Sequence, residues 1–351
     1  MASLVEVAQR AGVSVATASR ALNPGRHPVR ATTANRVREA ALALGFRPNG
    51  LARGLRQSWA RTVGVVVHDV SDPYFAETAR GVADAALASG FLTSICNTER
   101  DPAEELRYVG MLCESRVAGV LFAGGGLDDP GYRAELKRSV AELRGYGAQV
   151  VALGPRKDKW PAEIPDNHGG ARLAAAHLLA LGHREIAVIG GPPGLRTTSE
   201  REAGFQLELE AAGVQIDPRL RAAGRYDRES GEQAMHGLLD SGEDFTAVFA
   251  ENDAMAIGCL KALAERRVRV PEDISLIGFG DIPLMSYFNP PISTIAVHMR
   301  QIGVAGMERL EALLNGTDRG SRVRVHPTQL VARASTAPPR RKRFPTLSVP
   351  A

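Results

Sequence analysis

The sequence predicts a small all-α head followed by a larger α/β body of two lobes, each a parallel sheet with helices on both faces. Three observations carry this. Near the start, apolar residues recur at helical spacing on either side of a Gly-containing turn. From residue 62 onward, short near-continuous apolar runs alternate with longer helical segments, as in parallel strands buried on both faces. The charge is also divided: residues 1–61 carry +8, 62–337 carry −8 and 338–351 carry +4, although the 351-residue chain nets only +4. A basic head on an acidic body suits a protein that binds a polyanion at one end more than a lone enzyme.

Leu4, Val7, Ala8 and Ala11 form one apolar face of a first helix. Gly12 suits the positive-φ position that closes it, Val13 plugs the turn and Ser14 can cap the next helix. That helix, 15–22, buries Ala18, Ala21 and Leu22 and turns Val15, Ala16, Thr17, Ser19 and Arg20 outward. Asn23-Pro24-Gly25 then breaks the chain. A third helix, 32–45, completes the core with Val37, Ala40, Ala41 and Leu44. This is the helix-turn-helix plan, whose second helix enters the DNA major groove. In the body, strands are expected at 62–67, 117–123, 149–153, 185–189, 245–250 and 274–279. About 275 residues of this pattern exceed one sheet of ordinary size, hence two lobes with a cleft between them.

Composition bounds the rest. Apolar residues make 44%, charged residues 23%, and the mean hydropathy is −0.12, ordinary values for a globular chain. Three cysteines without metal or disulfide spacing read as buried thiols in a reducing cytoplasm. No signal peptide and no run of 18 apolar residues is found, so a cytoplasmic location is expected. No phosphate-binding, zinc-protease or nucleophile-elbow motif occurs, so the expectation is a protein that is not an enzyme and holds no metal or cofactor. Gly124-Gly125-Gly126 reads as a loop, and His168, His177 and His183 as structural residues.

The segments GVSVATASRALN, GFRPNGLARGL and TVGVVV resemble the lactose-repressor/galactose-repressor family of bacterial transcription regulators. The resemblance continues through VVVHDVSDPYFAETARGVADAA, GGARLAAAHLLALGHREIAVIGG, AENDAMAIGCLKAL and VPEDISLIGFGDIP. It implies a DNA-binding head at 1–46 and a hinge helix and linker at 47–61. The body, 62–337, would be similar to a periplasmic sugar-binding protein, with lobe 1 at about 62–160 and 293–325 and lobe 2 at about 161–292 and 326–337. A disordered basic tail at 338–351 follows. The resemblance further implies that Val15, Ala16 and Arg20 read base edges and that Thr17, Ser19, Asn23, Thr33 and Asn49 hold phosphates. In the hinge, Ala52 and Leu55 reach the DNA, Leu55 as a minor-groove wedge. Gly50 and Gly54 agree with a helix that is marginal alone, each costing about 1 kcal/mol relative to Ala.

For the cleft, the resemblance implies effector contacts from Tyr74, Phe75, Arg201, Tyr226 and Asn252, with Arg196 close by in sequence. Relatives that respond to sugars carry an acid where this chain has Gly280, followed by Asp281. A missing carboxylate beside an arginine favours a sugar acid or other small anion over a neutral sugar. The expected partners are operator DNA, a small-molecule effector and a second copy of the chain. The expected function is a repressor of carbohydrate or sugar-acid metabolism genes. The alternative is a solute-binding protein of a sugar transport system.

Overall fold

The computed structural model describes residues 2–22, 29–46 and 60–339, which fall into two compact units dividing between Arg61 and Thr62. Asn23, Asn49, Ala52, Leu55 and the basic tail from Arg340 lie outside the described residues.

The first unit is a three-helix head: α1 (Leu4–Arg10), α2 (Val15–Leu22) and α3 (Ala31–Ala43). A capping box starts α1: the Ser3 hydroxyl accepts from the Glu6 amide at 3.3 Å, and the Glu6 carboxylate accepts from the Ser3 amide at 2.6 Å. Gly12 closes α1 at φ +62°, letting the Val13 amide reach back to the Ala8 carbonyl at 3.0 Å. The Ser14 hydroxyl then accepts from the Thr17 amide at 3.2 Å. Val7, Ala8, Ala11, Ala18, Ala21, Ala34, Val37, Ala40 and Ala41 are buried together, with Leu22 and Leu44 partly buried against them. So many alanines let the three helices approach closely with little side-chain volume.

The second unit begins within β1 (Ala60–Val67) and continues through α4 (Pro73–Ala88), β2 (Leu92–Asn97), α5 (Pro102–Glu114), β3 (Val117–Ala123), α6 (Pro130–Gly145), β4 (Gln149–Leu153) and β5 (Ala162–Pro165). Each of these three helices starts at an Asp-Pro pair. The carboxylates of Asp72, Asp101 and Asp129 cap the first turn by accepting from the amides of Tyr74, Ala103 and Tyr132. Proline occupies the next position, where no N–H is needed. There follow α7 (Asn167–Ala180), β6 (Ile186–Gly190), α8 (Arg196–Ala211), β7 (Arg221–Ala223), α9 (Arg228–Asp240), β8 (Ala247–Ala250), α10 (Asp253–Glu265), β9 (Ser275–Ile277), β10 (Thr294–Ala296), α11 (Met299–Leu314), β11 (Val323–His326) and β12 (Gln329–Val331).

The strands form a six-stranded sheet, β11-β5-β4-β3-β1-β2, a four-stranded parallel sheet, β7-β6-β8-β9, and an antiparallel pair, β10-β12. All seven residues of β3 are buried, as a central strand covered on both faces requires. Phe122 stacks on Trp160 at 5.1 Å in the core of the first lobe, and Phe205 on Phe249 at 4.4 Å in the second. His183 shares hydrogen bonds with Thr246 (2.8 Å) and the Ala337 carbonyl (2.9 Å), and His177 with Thr336 (2.8 Å), so both histidines pin the end of the described chain. The three cysteines are buried and free.

The strands sharpen the approximate lobe boundaries at two places. β5 pairs with β4 and β11, so the first lobe runs to Pro165 rather than ending at 160. Ser293 and Ala296 bridge to Ile277 and Gly280 of the second lobe, so the chain returns to the first lobe just before α11, not at 293. β5 is hidden from hydropathy because it carries a charge: Glu163 is buried at 1% exposure, between Arg309 (3.2 Å), Arg324 (3.2 Å) and His326 (2.8 Å).

Candidate functional site

The body encloses a cleft of about 610 Å3, counting the space open to solvent, at the C-terminal ends of its parallel strands. That is where ligands bind in open α/β sheets, because the strand ends and helix N-termini leave backbone and side chains facing a crevice. The first lobe supplies His68, Asp72, Tyr74, Phe75, Arg100, Gly124, Gly125 and Pro155. The second supplies Leu195, Thr197, Arg201, Tyr226, Asn252, Asp253, Ala254, Phe279, Gly280 and Ile282.

Of the expected effector residues, Tyr74, Phe75, Arg201, Tyr226, Asn252 and Gly280 lie on this wall. Arg196 and Asp281 do not, which corrects their placement. Arg196 is five residues from Arg201, about 140° around the helix, and pairs instead with Glu200 at 2.9 Å, half-exposed. Asp281 adopts φ +57° and turns its carboxylate to Arg333 at 2.6 Å. Sequence reasoning missed His68, Asp72, Arg100, Thr197 and Phe279. Asp72 was legible as the cap of an Asp-Pro helix start, but nothing in the sequence brings Arg100 to the cleft.

Arg201 is nearly fully buried, and its guanidinium lies 3.9 Å from the Phe279 ring centroid and 5.9 Å from that of Tyr226. Its Nε donates to Asn167 at 3.0 Å and one terminal nitrogen donates to the Glu251 carbonyl. Tyr226, at φ +64°, shares a hydrogen bond with Thr198 at 2.9 Å and donates to the Glu251 carboxyl at 3.4 Å. Asn252 caps α10 by accepting from the Met255 amide at 2.9 Å and donates to the Tyr226 carbonyl at 3.0 Å. On the other wall, Phe75 meets His68 and Tyr74 edge-on at 5.4 and 5.1 Å. Gly124, at φ +95°, lies so close to His68 that a Cβ would fall 2.7 Å from the imidazole.

Burial dominates the electrostatics. It pushes His68 down to about 4, so the ring is neutral at pH 7. It raises the Asp72 carboxyl and the Tyr74 phenol, lifts Asp253 to about 6 and lifts Glu251 to about 8. Both Asp253 oxygens are committed, accepting from the Thr294 hydroxyl at 2.6 Å and the Ile282 amide at 2.8 Å.

On the head, Val15, Ala16 and Arg20 are exposed on α2, while Thr17, Ser19 and Thr33 are half-buried. Arg20 folds back to donate to the Ala16 carbonyl at 3.2 Å. The outer face of α2 therefore offers one guanidinium flanked by small apolar groups. A helix-turn-helix head and a two-lobed body with a polar, aromatic-lined cleft define a DNA-binding regulator under small-molecule control.

The comparisons agree. Residues 3–49 match the bacterial regulatory proteins of the lacI family, and 175–336 match the periplasmic binding protein-like domain. The chain is 33% identical over 338 residues to the HTH-type transcriptional repressor CytR of Escherichia coli K12, covering 95% of this chain and 96% of that one. Among solved structures it is similar to the lac repressor dimer bound to operator and the anti-inducer ONPF, with a TM-score of 0.82, 28% identity, and coverage of 96% and 99%. It is also similar to the transcriptional regulator CelR–cellobiose complex, with a TM-score of 0.70, 30% identity, and coverage of 95% and 100%. The chain belongs to the LacI family of bacterial regulatory proteins, as a DNA-binding transcriptional repressor. The solute-binding alternative finds no support among these relatives. No described helix is long and apolar enough to cross a membrane.

Proposed function

We propose that this chain represses carbohydrate or sugar-acid metabolism genes, binding its operator as a homodimer and responding to a small polar effector held between its two lobes. The observation that carries the effector reading is Arg201, buried against Phe279 on the cleft wall with two of its three nitrogens held by the protein. A guanidinium so fixed can offer its remaining terminal nitrogen to ligand oxygens without losing side-chain entropy on binding. Aromatic faces at Tyr74, Phe75 and Tyr226 suit the apolar side of a sugar ring. On the DNA side, Val15, Ala16 and Arg20 read base edges, and Thr17, Ser19 and Thr33 hold phosphates. The two heads of a dimer address half-sites about one helical turn, ~34 Å, apart.

The surface for the second copy lies on the first lobe, where Leu87, Leu92, Ile95 and Met111 are each exposed. Leu92 and Ile95 lie on β2, the edge strand of the six-stranded sheet, where an uncovered apolar edge invites another chain.

Fluorescence anisotropy on a labelled fragment from upstream of the protein's own gene, with and without sugars and sugar acids, tests the reading. Tight binding that one compound weakens or strengthens at least tenfold is the expected result. Affinity equal to that for random DNA, unchanged by every compound, would overturn it.

A further inference from the structure

Several of the cleft's acceptors are already taken. Asp253 has both oxygens occupied, and one Asp72 oxygen is committed to the Tyr74 amide at 2.9 Å. Arg100 presents the opposite situation. It sits in the loop after β2, where Glu99 and Arg100 take consecutive positive φ values of +50° and +62°, an uncommon pair for side-chain-bearing residues. That conformation carries its side chain to the cleft wall, where 22% of it is exposed. Its Nε is buried with no hydrogen-bond partner, and its recorded ion contact is a loose 3.9 Å approach to Asp72. Arg100 from the first lobe and Arg201 from the second both line the cleft. A desolvated guanidinium without matched acceptors is unfavourable, and the group that satisfies it best is a planar or tetrahedral oxyanion, taken by two parallel N–H donors.

We propose that the effector carries an anionic oxygen group, carboxylate or phosphate, and that Arg100 is the residue that grips it. This rests on the reading of the cleft as the effector site and names what that site selects. An anion held by Arg100 from the first lobe while Arg201 meets the same ligand from the second ties the two lobes through the ligand itself.

Calorimetric titration of the full chain with matched pairs tests it: D-gluconate against D-glucose, D-ribose 5-phosphate against D-ribose, and inorganic phosphate as the minimal anion. The charged member of at least one pair should bind ten times more tightly than its neutral partner. Arg100→Gln should remove that preference, and Arg100→Lys, which keeps the charge but not the fork, should keep part of it. Thermal melts of both variants report whether they fold. Neutral sugars binding as tightly as their anions in both pairs, or an anion held equally well by Arg100→Gln, overturns the assignment while leaving the cleft as the effector site. Absence of binding by all five compounds also overturns it. The effector reading is then judged separately, by whether a small-molecule extract of the source cells shifts operator affinity.

Discussion

Gly280 was singled out for a carboxylate it lacks, and its backbone explains why substitution there is not a simple exchange. At φ +142° it occupies a region that L side chains rarely adopt, and an added Cβ would lie 3.0 Å from the Asp253 carboxylate. Gly280→Ala should therefore destabilise the body by about 1–3 kcal/mol, read as a lower melting temperature. Glu251 makes a different demand. It is fully buried, with one oxygen accepting from the Gly191 amide at 2.9 Å and the other without a partner. Burial lifts its carboxyl from 4.5 to about 8. Between those values the folded chain holds a proton that the unfolded chain has released, so stability falls as pH rises. His68, lowered from 6.5 to about 4, acts in the opposite sense, but only below 6.5. The Asp253 contribution is complete by about 6. Across pH 6.5 to 8 the Glu251 loss thus stands unopposed by these groups. Melting temperature should drop over that window, and Glu251→Gln should flatten the drop; an unchanged slope would refute the assignment.

Among the elements, α2 is the one whose sequence maps most directly onto function. Its helical spacing sorted Ala18 and Ala21 inward and Val15, Ala16 and Arg20 outward, because a single amphipathic helix needs only local information. Arg20→Ala should cost about 1–3 kcal/mol at one base position and little on random DNA; equal losses on both in anisotropy titrations would remove its base-reading role. The strands divided into two groups. β3 and β4 were legible as uninterrupted apolar runs, whereas β2 was not, since an edge strand reading Leu-Thr-Ser-Ile-Cys-Asn leaves most of its residues partly or fully exposed. β5 hid behind Glu163, whose charge is balanced by Arg309, Arg324 and His326. Each of those lies more than 140 residues away in the chain. Arg100 escaped for the same reason: its role comes from tertiary placement by two left-handed residues, which no local pattern announces. Of the residues carried over by resemblance, Arg201 and Tyr226 lie on the cleft wall, whereas Asp281 turns away to Arg333.

Across the whole molecule, charge and assembly meet. The basic head and acidic body direct phosphate attraction to one end, and pairing through the first lobe would present two such heads to one operator. Leu92→Glu, placing a charge on the exposed edge strand, should convert the dimer to monomer in sedimentation velocity and weaken operator binding at least tenfold, while leaving the melting of the fold nearly unchanged. A dimer that persists would move the interface elsewhere.

The three passages of chain between the lobes run side by side. The Asp166 amide donates to the His326 carbonyl at 2.9 Å, the Thr328 hydroxyl donates to the Asp166 carbonyl at 3.2 Å, and β10 pairs with β12. Three adjacent tethers, hydrogen-bonded to one another, would act as a door hinge, resisting shear and twist and leaving one soft angle. Under the proposed function, a bound effector would act on the operator through that angle. A compound would then activate or silence by the sign of the angle it imposes, and two anions that impose the same angle would give the same signal.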